Sequence, residues 1–272
     1  MLLGRNADIA WGGTNLVAVQ CAAYDVSADT AAITKRPETI ARRWWWDTTR
    51  TLREHPLGPI ISDHPRFGLD PQRPLALHVQ THTPSDEWTP FISVMAVRDW
   101  PGFVAAWTPF AAGSFTMLYA DRQGRIGRLM ATASDPALVA AHRAGIADAH
   151  DARLRPSPPA AWLHADRLPS IVDPAAGVLA SANDQGDPGH RVQRNDRGDP
   201  RPERLHALLT ARERWDIAGL AAVQRDVFCA WSHAGAQAVA ARALPADADS
   251  EAVRLSGVLA AWNGDYAADS TG

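Results

Sequence analysis

A change of period near residue 200 constrains this chain more than any other feature. Before it, apolar residues come in short runs broken by Gly, Pro and Asp, the pattern of strands and turns. Beyond it, Arg201 to Arg212, Asp216 to Ala241 and Ser250 to Trp262 carry helical periodicity with no glycine-proline turn inside. Strands first and helices last is an α+β order, not a repeating βαβ chain. One domain is expected over 1–272, with 1–200 mainly strands and 201–272 mainly helical.

Within the first part, Ile9 to Trp11 and Leu16 to Tyr24 read as strands around a Gly12-Gly13-Thr14 turn. Arg42 to Arg53, rich in Trp and Thr, suits an exposed antiparallel strand pair. Trp44, Trp45 and Trp46 cannot all face one side of a strand, so one face is expected to meet a core and the other a second layer or a ligand. Leu75 to Thr81 alternates as a strand does. Glu87 to Arg98 reads as a helix capped by Ser85 or Asp86, and Trp100 to Phe110 as a second with Pro101 at its start. Phe115 to Ala120 and Ile126 to Ala131, separated by Asp121-Arg122-Gln123-Gly124, form a hairpin signature. Pro136 to Ala152 reads as an Ala-rich helix. Asp184 to Pro202 is a long polar loop, expected to be functional or mobile.

Composition excludes several classes. The formal net charge of -3 favours neither nucleic acid nor an anionic membrane as partner. No apolar run reaches the ~20 residues that span a bilayer. No signal-peptide pattern follows Met1, which leaves the compartment open. Cys21 and Cys229 are too few for a disulfide framework and read as two buried thiols, although they could pair. No P-loop, dinucleotide fingerprint, G-x-S-x-G elbow or H-E-x-x-H is present. His78 and His82 share a strand face but lack a matching carboxylate or Cys, so a structural or surface role is expected.

Several segments, in order, point further. Gly4 to Asn15 carries G-x-N-x-x-I-A-W-G-x-T-N, and Gly58 to Ser62 reads G-P-I-I-S. Leu118 to Gly127 carries Y-A-D-x-x-G-x-I-G, and Gly177 to Asn183 reads G-x-L-A-x-A-N. Arg201 to Leu209 carries R-x-x-R-x-x-x-L-L, Gln224 and Asp226 a Q-x-D, and Trp262 to Ser270 W-x-G-x-x-x-x-D-S. Together these resemble the middle of the large (β) subunit of the penicillin acylase family of N-terminal-nucleophile hydrolases.

The resemblance implies a partial αββα four-layer sandwich with a C-terminal helical segment, and hydrolysis of an amide bond. Family substrates include β-lactam side-chain amides and acyl-homoserine lactones. An N-terminal Ser attacks the carbonyl with its own α-amino group as base, and two donors hold the oxyanion. By position, Asn183 matches the side-chain donor and Asn15 the backbone N–H donor. Arg201 matches the Arg that orients the catalytic Asn. Trp44, Phe110 and Phe115 are candidates to line the substrate cleft.

Three departures matter. The family's Ser-Asn-x-Trp start is absent from these residues, so no nucleophile is assigned and the chain alone is expected to be inactive. Cleavage at Gly13-Thr14 or Gly113-Ser114 would discard the motifs before the cut. The stretch Leu16 to Ala23, where family members often bind calcium, has no carboxylate, so no calcium and no other cofactor is expected there. The family's Asn-Asn is Asn183-Asp184 here. The readings left open are an amide hydrolase needing a complementary acylase chain, and a non-catalytic ligand-binding or structural relative of that fold.

Overall fold

The structure, a computed structural model, describes residues 2–184, 192 and 200–270. It is an α+β fold that divides into two compact units. The first holds the described residues up to 175 together with Val192; the second holds 176–184 and 200–270. The interior of the polar loop after Asp184 lies outside the described residues.

The first unit is built from β1 (Gly4–Arg5), β2 (Ile9–Asn15), β3 (Cys21–Asp25), β4 (Thr34–Ile40), β5 (Thr48–His55), β6 (Gly58–Pro59) and β7 (Leu75–Val79). Two helices follow, α1 (Trp88–Ser93) and α2 (Trp100–Trp107). Then come β8 (Phe115–Asp121), β9 (Ile126–Ala131), α3 (Pro136–Arg143), β10 (Ile146–Asp148) and β11 (Ser170–Val172). The main sheet has the order β1-β2-β8-β9-β11 and is antiparallel throughout. A second sheet has the order β10-β3-β7, and a third β4-β5-β6.

Alternation decides which face of the main sheet is covered. Ile9 and Trp11 on β2, Met117 and Tyr119 on β8, and Leu129 and Ala131 on β9 point to one side. There they meet Val94, Phe103, Trp107 and Phe110 from the α1–α2 segment. The intervening Met130 packs elsewhere, with Leu16, Leu168 and Val192. The helices begin where their caps dictate. Asp86 Oδ1 accepts the backbone N–H groups of Trp88 and Thr89 at 3.1 and 2.9 Å, and Asp99 Oδ1 that of Gly102 at 2.8 Å. α3 packs on β3, and Tyr24 lies fully buried beneath it with its hydroxyl donating to Leu154 O at 2.7 Å. Burial is the main reason its phenol is pushed up to about 12.

Several expectations are corrected. There is no turn at Gly12-Gly13-Thr14: β2 runs straight through to Asn15, paired along its whole length with β8. Gly13 serves close approach instead, since a Cβ there would stand 2.6 Å from Met117 Sδ. The three tryptophans meet no core. They occupy the loop between β4 and β5, whose seven paired positions run from Thr34↔Glu54 to Ile40↔Thr48. The helix expected to reach Ala152 stops at Arg143, because Gly145 adopts φ 81° and the chain re-enters the sheet as β10. Cys21 and Cys229 are both free and half-buried rather than buried.

The second unit contains α4 (Pro200–Thr210), α5 (Ile217–Gln224), α6 (Ala230–Ala240) and α7 (Ser250–Ala261). Here too the sequence reading needs correction. Asp216 to Ala241 is two helices, because Phe228 forms a β-bridge with Asp265 and Cys229 N–H donates to Gly264 O at 2.9 Å. Helical periodicity on both sides cannot reveal a break made by partners as distant in the chain as Gly264 and Asp265. α6 packs against α7, with Gln237 Nε2 reaching the last carbonyls of α7.

The contact between α2 and the main sheet is the tightest test of this packing. Trp100 lies over β9, stacked on Phe103 and edge-on to Tyr119, and a Cβ on Gly127 would fall 2.2 Å from its ring. Gly127→Ala must therefore displace an indole wedged between two other rings. The expected loss is about 1–3 kcal/mol, read as a lower urea midpoint with an unchanged m-value.

Candidate functional site

In the second unit, Arg201 and Asn183 come together. Asn183 sits at φ 66°, a left-handed conformation that Asn tolerates better than other non-glycine residues. The turn is held by Asp184, whose Oδ1 accepts the Ala182 N–H at 2.9 Å. Arg201, in the first turn of α4, donates from Nη2 to Ala182 O at 2.7 Å, and from Nη1 and Nη2 to Asn183 Oδ1 at 3.3 Å each. A guanidinium can only donate, so the amide oxygen must be the atom that faces it. The Nδ2 of Asn183 is thereby set as the other, donating end of the amide plane, with its orientation fixed by a charged partner.

One turn later Arg204 does a different job. Its guanidinium makes a paired contact with Asp226, Nε to Oδ2 at 3.0 Å and Nη2 to Oδ1 at 2.6 Å. Its Cζ lies 4.7 Å from the Phe228 ring centroid. The hydrogen bonds from Arg204 hold the Asp226 carboxyl below its ordinary range, helped by the opposite charge. So α4 is bolted to the α5–α6 connection, and Arg201 inherits that rigidity. Arg204 and Asp226 were visible in the R-x-x-R and Q-x-D segments, but nothing in sequence spacing shows that two residues so far apart in the chain meet.

In the first unit, Asn15 ends β2 opposite Phe115 of β8. Its side chain is used locally: Oδ1 accepts the Val17 N–H at 2.8 Å and the Ser114 hydroxyl at 3.5 Å. Ser114 also accepts the Ala18 N–H on Oγ at 3.2 Å and the Leu16 N–H on its carbonyl at 3.1 Å. The loop before it is clamped by Glu87, whose Oε1 accepts the N–H groups of Ala111 and Ala112 at 3.2 and 2.8 Å, and by Gln20, which donates to Ala111 O and Gly113 O.

The three aromatic candidates separate. Phe110 is buried among Phe91, Trp107 and Phe115, and belongs to the core. Phe115 is half-buried at the edge of that cluster, beside Asn15. Trp44 stands on the β4–β5 loop and is not part of the cluster.

Among the described residues, no group of three or more His, Cys, Asp or Glu could hold a metal ion. In Leu16 to Ala23, Leu16, Val19 and Ala22 are packed into the apolar interior. His78 lies half-buried in β7, and burial lowers its pKa, so it is neutral at pH 7.

The penicillin amidase family model matches residues 1–272. The chain belongs to the penicillin amidase family, a family of amide hydrolases. Its fold is also similar to a solved penicillin amidase relative, a thermostable penicillin G acylase from Alcaligenes faecalis, with a TM-score of 0.67 and 19% identity. The match covers 97% of this chain and 50% of that one, so the chain spans about half the length of this relative. A search of the curated proteins found no match. In penicillin amidase terms, the G-x-L-A-x-A-N and R-x-x-R segments are the ones that the Arg201–Asn183 contact joins.

The Arg204–Asp226 pair gives a pH signature. A carboxyl whose pKa is lowered by folding stabilises the fold fully above its unfolded value, near pH 4, and that stabilisation is lost as pH falls through the lower folded value. Asp226→Asn is expected to cost about 1 kcal/mol at pH 7 and to flatten the loss of stability below about pH 4. Thermal melts of both proteins across pH 2–7 measure it.

Proposed function

We propose that these residues supply the oxyanion-stabilising part of a penicillin-amidase-type amide hydrolase, with Asn183 Nδ2 as the side-chain donor. The observation that carries this reading is the pair of hydrogen bonds from Arg201 to Asn183 Oδ1. An oxyanion donor must be aimed before charge develops, because reorganisation during the reaction would cost what the interaction gains. A charged, two-pronged grip on the amide oxygen provides that aim. Asn15 keeps the role implied by its motif, a backbone N–H donor, which fits its side chain being occupied by Val17 and Ser114. Phe115, half-buried beside Asn15, is the candidate to face the acyl group, which favours an apolar or aromatic acyl amide.

The nucleophile in this reading comes from outside residues 1–272. A Ser hydroxyl attacks the amide carbonyl and passes its proton to its own α-amino group, while the new oxyanion accepts from Asn183. The leaving amine takes that proton as the C–N bond breaks, and water then hydrolyses the ester. The reading therefore includes a complementary acylase segment as partner. β-Lactam side chains and acyl-homoserine lactones are the substrate classes to screen first.

The test is hydrolysis of a chromogenic acyl amide by residues 1–272 with and without a family segment that begins with the catalytic Ser. Activity only in the complemented sample supports the reading. Amide binding without turnover in both samples would replace it with a non-catalytic binding role. In the active form, Asn183→Ala should lower kcat about 10²–10³-fold with little change in KM. Arg201→Ala should lower kcat by up to about 10²-fold. Arg201→Lys should recover part of that loss, because it keeps the charge but not the fork.

A further inference from the structure

The β4–β5 ribbon holds none of Asn15, Asn183 and Arg201, the residues on which the proposed function rests. Its seven-pair ladder is roughly 20 Å long at about 3.4 Å per residue, and most of its positions are exposed on both faces. The shaft is polar, with Arg36 reaching both Glu38 and Glu54. The tip is the opposite. Trp44, Trp45 and Trp46 are 86%, 64% and 78% exposed, with Ile40 exposed beside them. Single exposed apolar residues are ordinary, but three adjacent indoles on one loop form a patch that calls for a partner.

This tip is built rather than frayed. Trp45 N–H donates to Arg42 O at 3.3 Å, and Arg42 Nε donates to Trp46 O at 3.0 Å. Arg42 N–H donates to Asp47 Oδ1 at 3.4 Å. Trp44 sits at φ 65°, a strained conformation for a bulky aromatic residue. Trp45 and Trp46 meet edge to face at 5.3 Å, and Arg43 lies 5.2 Å over the Trp44 ring. The turn thus holds its indoles outward at a cost in backbone strain.

The chemistry points to one kind of partner. Trp is the side chain that best fits the boundary between water and acyl chains, with an apolar body and an N–H donor. Between Ala41 and Asp47 two arginines stand against one aspartate, and that aspartate accepts from the Arg42 backbone. The tip therefore presents positive charge on a chain whose net charge is -3. A loop that exposes three adjacent indoles fits a soft surface. Among the described residues no helix is long and apolar enough to cross a membrane.

We propose that the β4–β5 tip seats in the headgroup region of an anionic lipid bilayer, with Trp44, Trp45 and Trp46 as interfacial anchors and Arg42 and Arg43 against lipid phosphates. The test is co-flotation of the purified full chain with phosphatidylcholine vesicles and with vesicles containing about one-third phosphatidylglycerol. Expected is binding to the anionic vesicles, weakened by salt, and a loss of about tenfold or more on Trp44→Ser, Trp45→Ser and Trp46→Ser together. Arg42→Gln with Arg43→Gln should remove the preference for the anionic vesicles. The three indoles are exposed, so the triple variant should keep its circular dichroism and melting curve. The tip holds three of 11 tryptophans, so a fluorescence blue shift on vesicle addition should be read as the wild type minus the triple variant. No binding by the wild type would overturn the proposal, as would equal binding by the folded triple variant. Concentration-dependent self-association that the triple variant abolishes, without vesicle binding, would overturn it in favour of a contact between copies.

Discussion

The seven-residue ladder between β2 and β8 is the constraint on which the first unit depends. It joins segments about a hundred residues apart, and its register sets which side chains face the helices. With β8 held in place, a slip of one residue in β2 would turn Ile9 and Trp11 away from the face that Met117, Tyr119, Phe103 and Trp107 share. The same register places Asn15 opposite Phe115 and brings the Ser114 hydroxyl to the end of β2. Packing and candidate chemistry are therefore consequences of one pairing. The glycines at 13 and 127 follow from it too, since Met117 and Trp100 fill the space where their Cβ atoms would be.

The second unit buries few apolar side chains among its described residues, Trp262, Ala236 and Ala182 among them. Its helices are short and mostly exposed, and none of the four would be stable alone. Two arginines three residues apart on α4 divide the labour: Arg204 ties the helix to Asp226, and Arg201 ties it to the Ala182–Asn183 turn. An amide donor is only as well aimed as the group that holds its oxygen. The fixed geometry of the fold around Arg204 thus bears on the direction of Asn183.

Local electrostatics and the chain average disagree at the β4–β5 tip. A net charge of -3 speaks against an anionic surface as a partner for the whole molecule, yet Arg42 and Arg43 stand together beside three indoles. Screening over roughly 10 Å at ordinary salt makes the local arrangement count for more than the sum. Composition is an average over the surface, and it cannot report a patch.

The order of strands and helices, the Phe115–Ala131 hairpin, the capped starts of α1 and α2 and the family motifs were legible in the residues. Each of these depends on neighbours within a few positions, where periodicity, caps and turn chemistry act. The errors share the opposite cause. Gly12-Gly13 looked like a turn because a glycine needed for close approach cannot be told from one needed for φ. The α5–α6 break, the end of α3 at a new parallel strand and the exposure of three tryptophans all depend on partners distant in sequence. By itself, then, the sequence determined the fold class and nominated Asn183, Arg201 and Asn15. The tertiary structure alone decided that Arg201 grips the Asn183 amide oxygen, that Phe110 belongs to the core and Phe115 to its edge, and that Trp44 faces water. Local propensity is written along the chain, whereas contacts are made by its folding back.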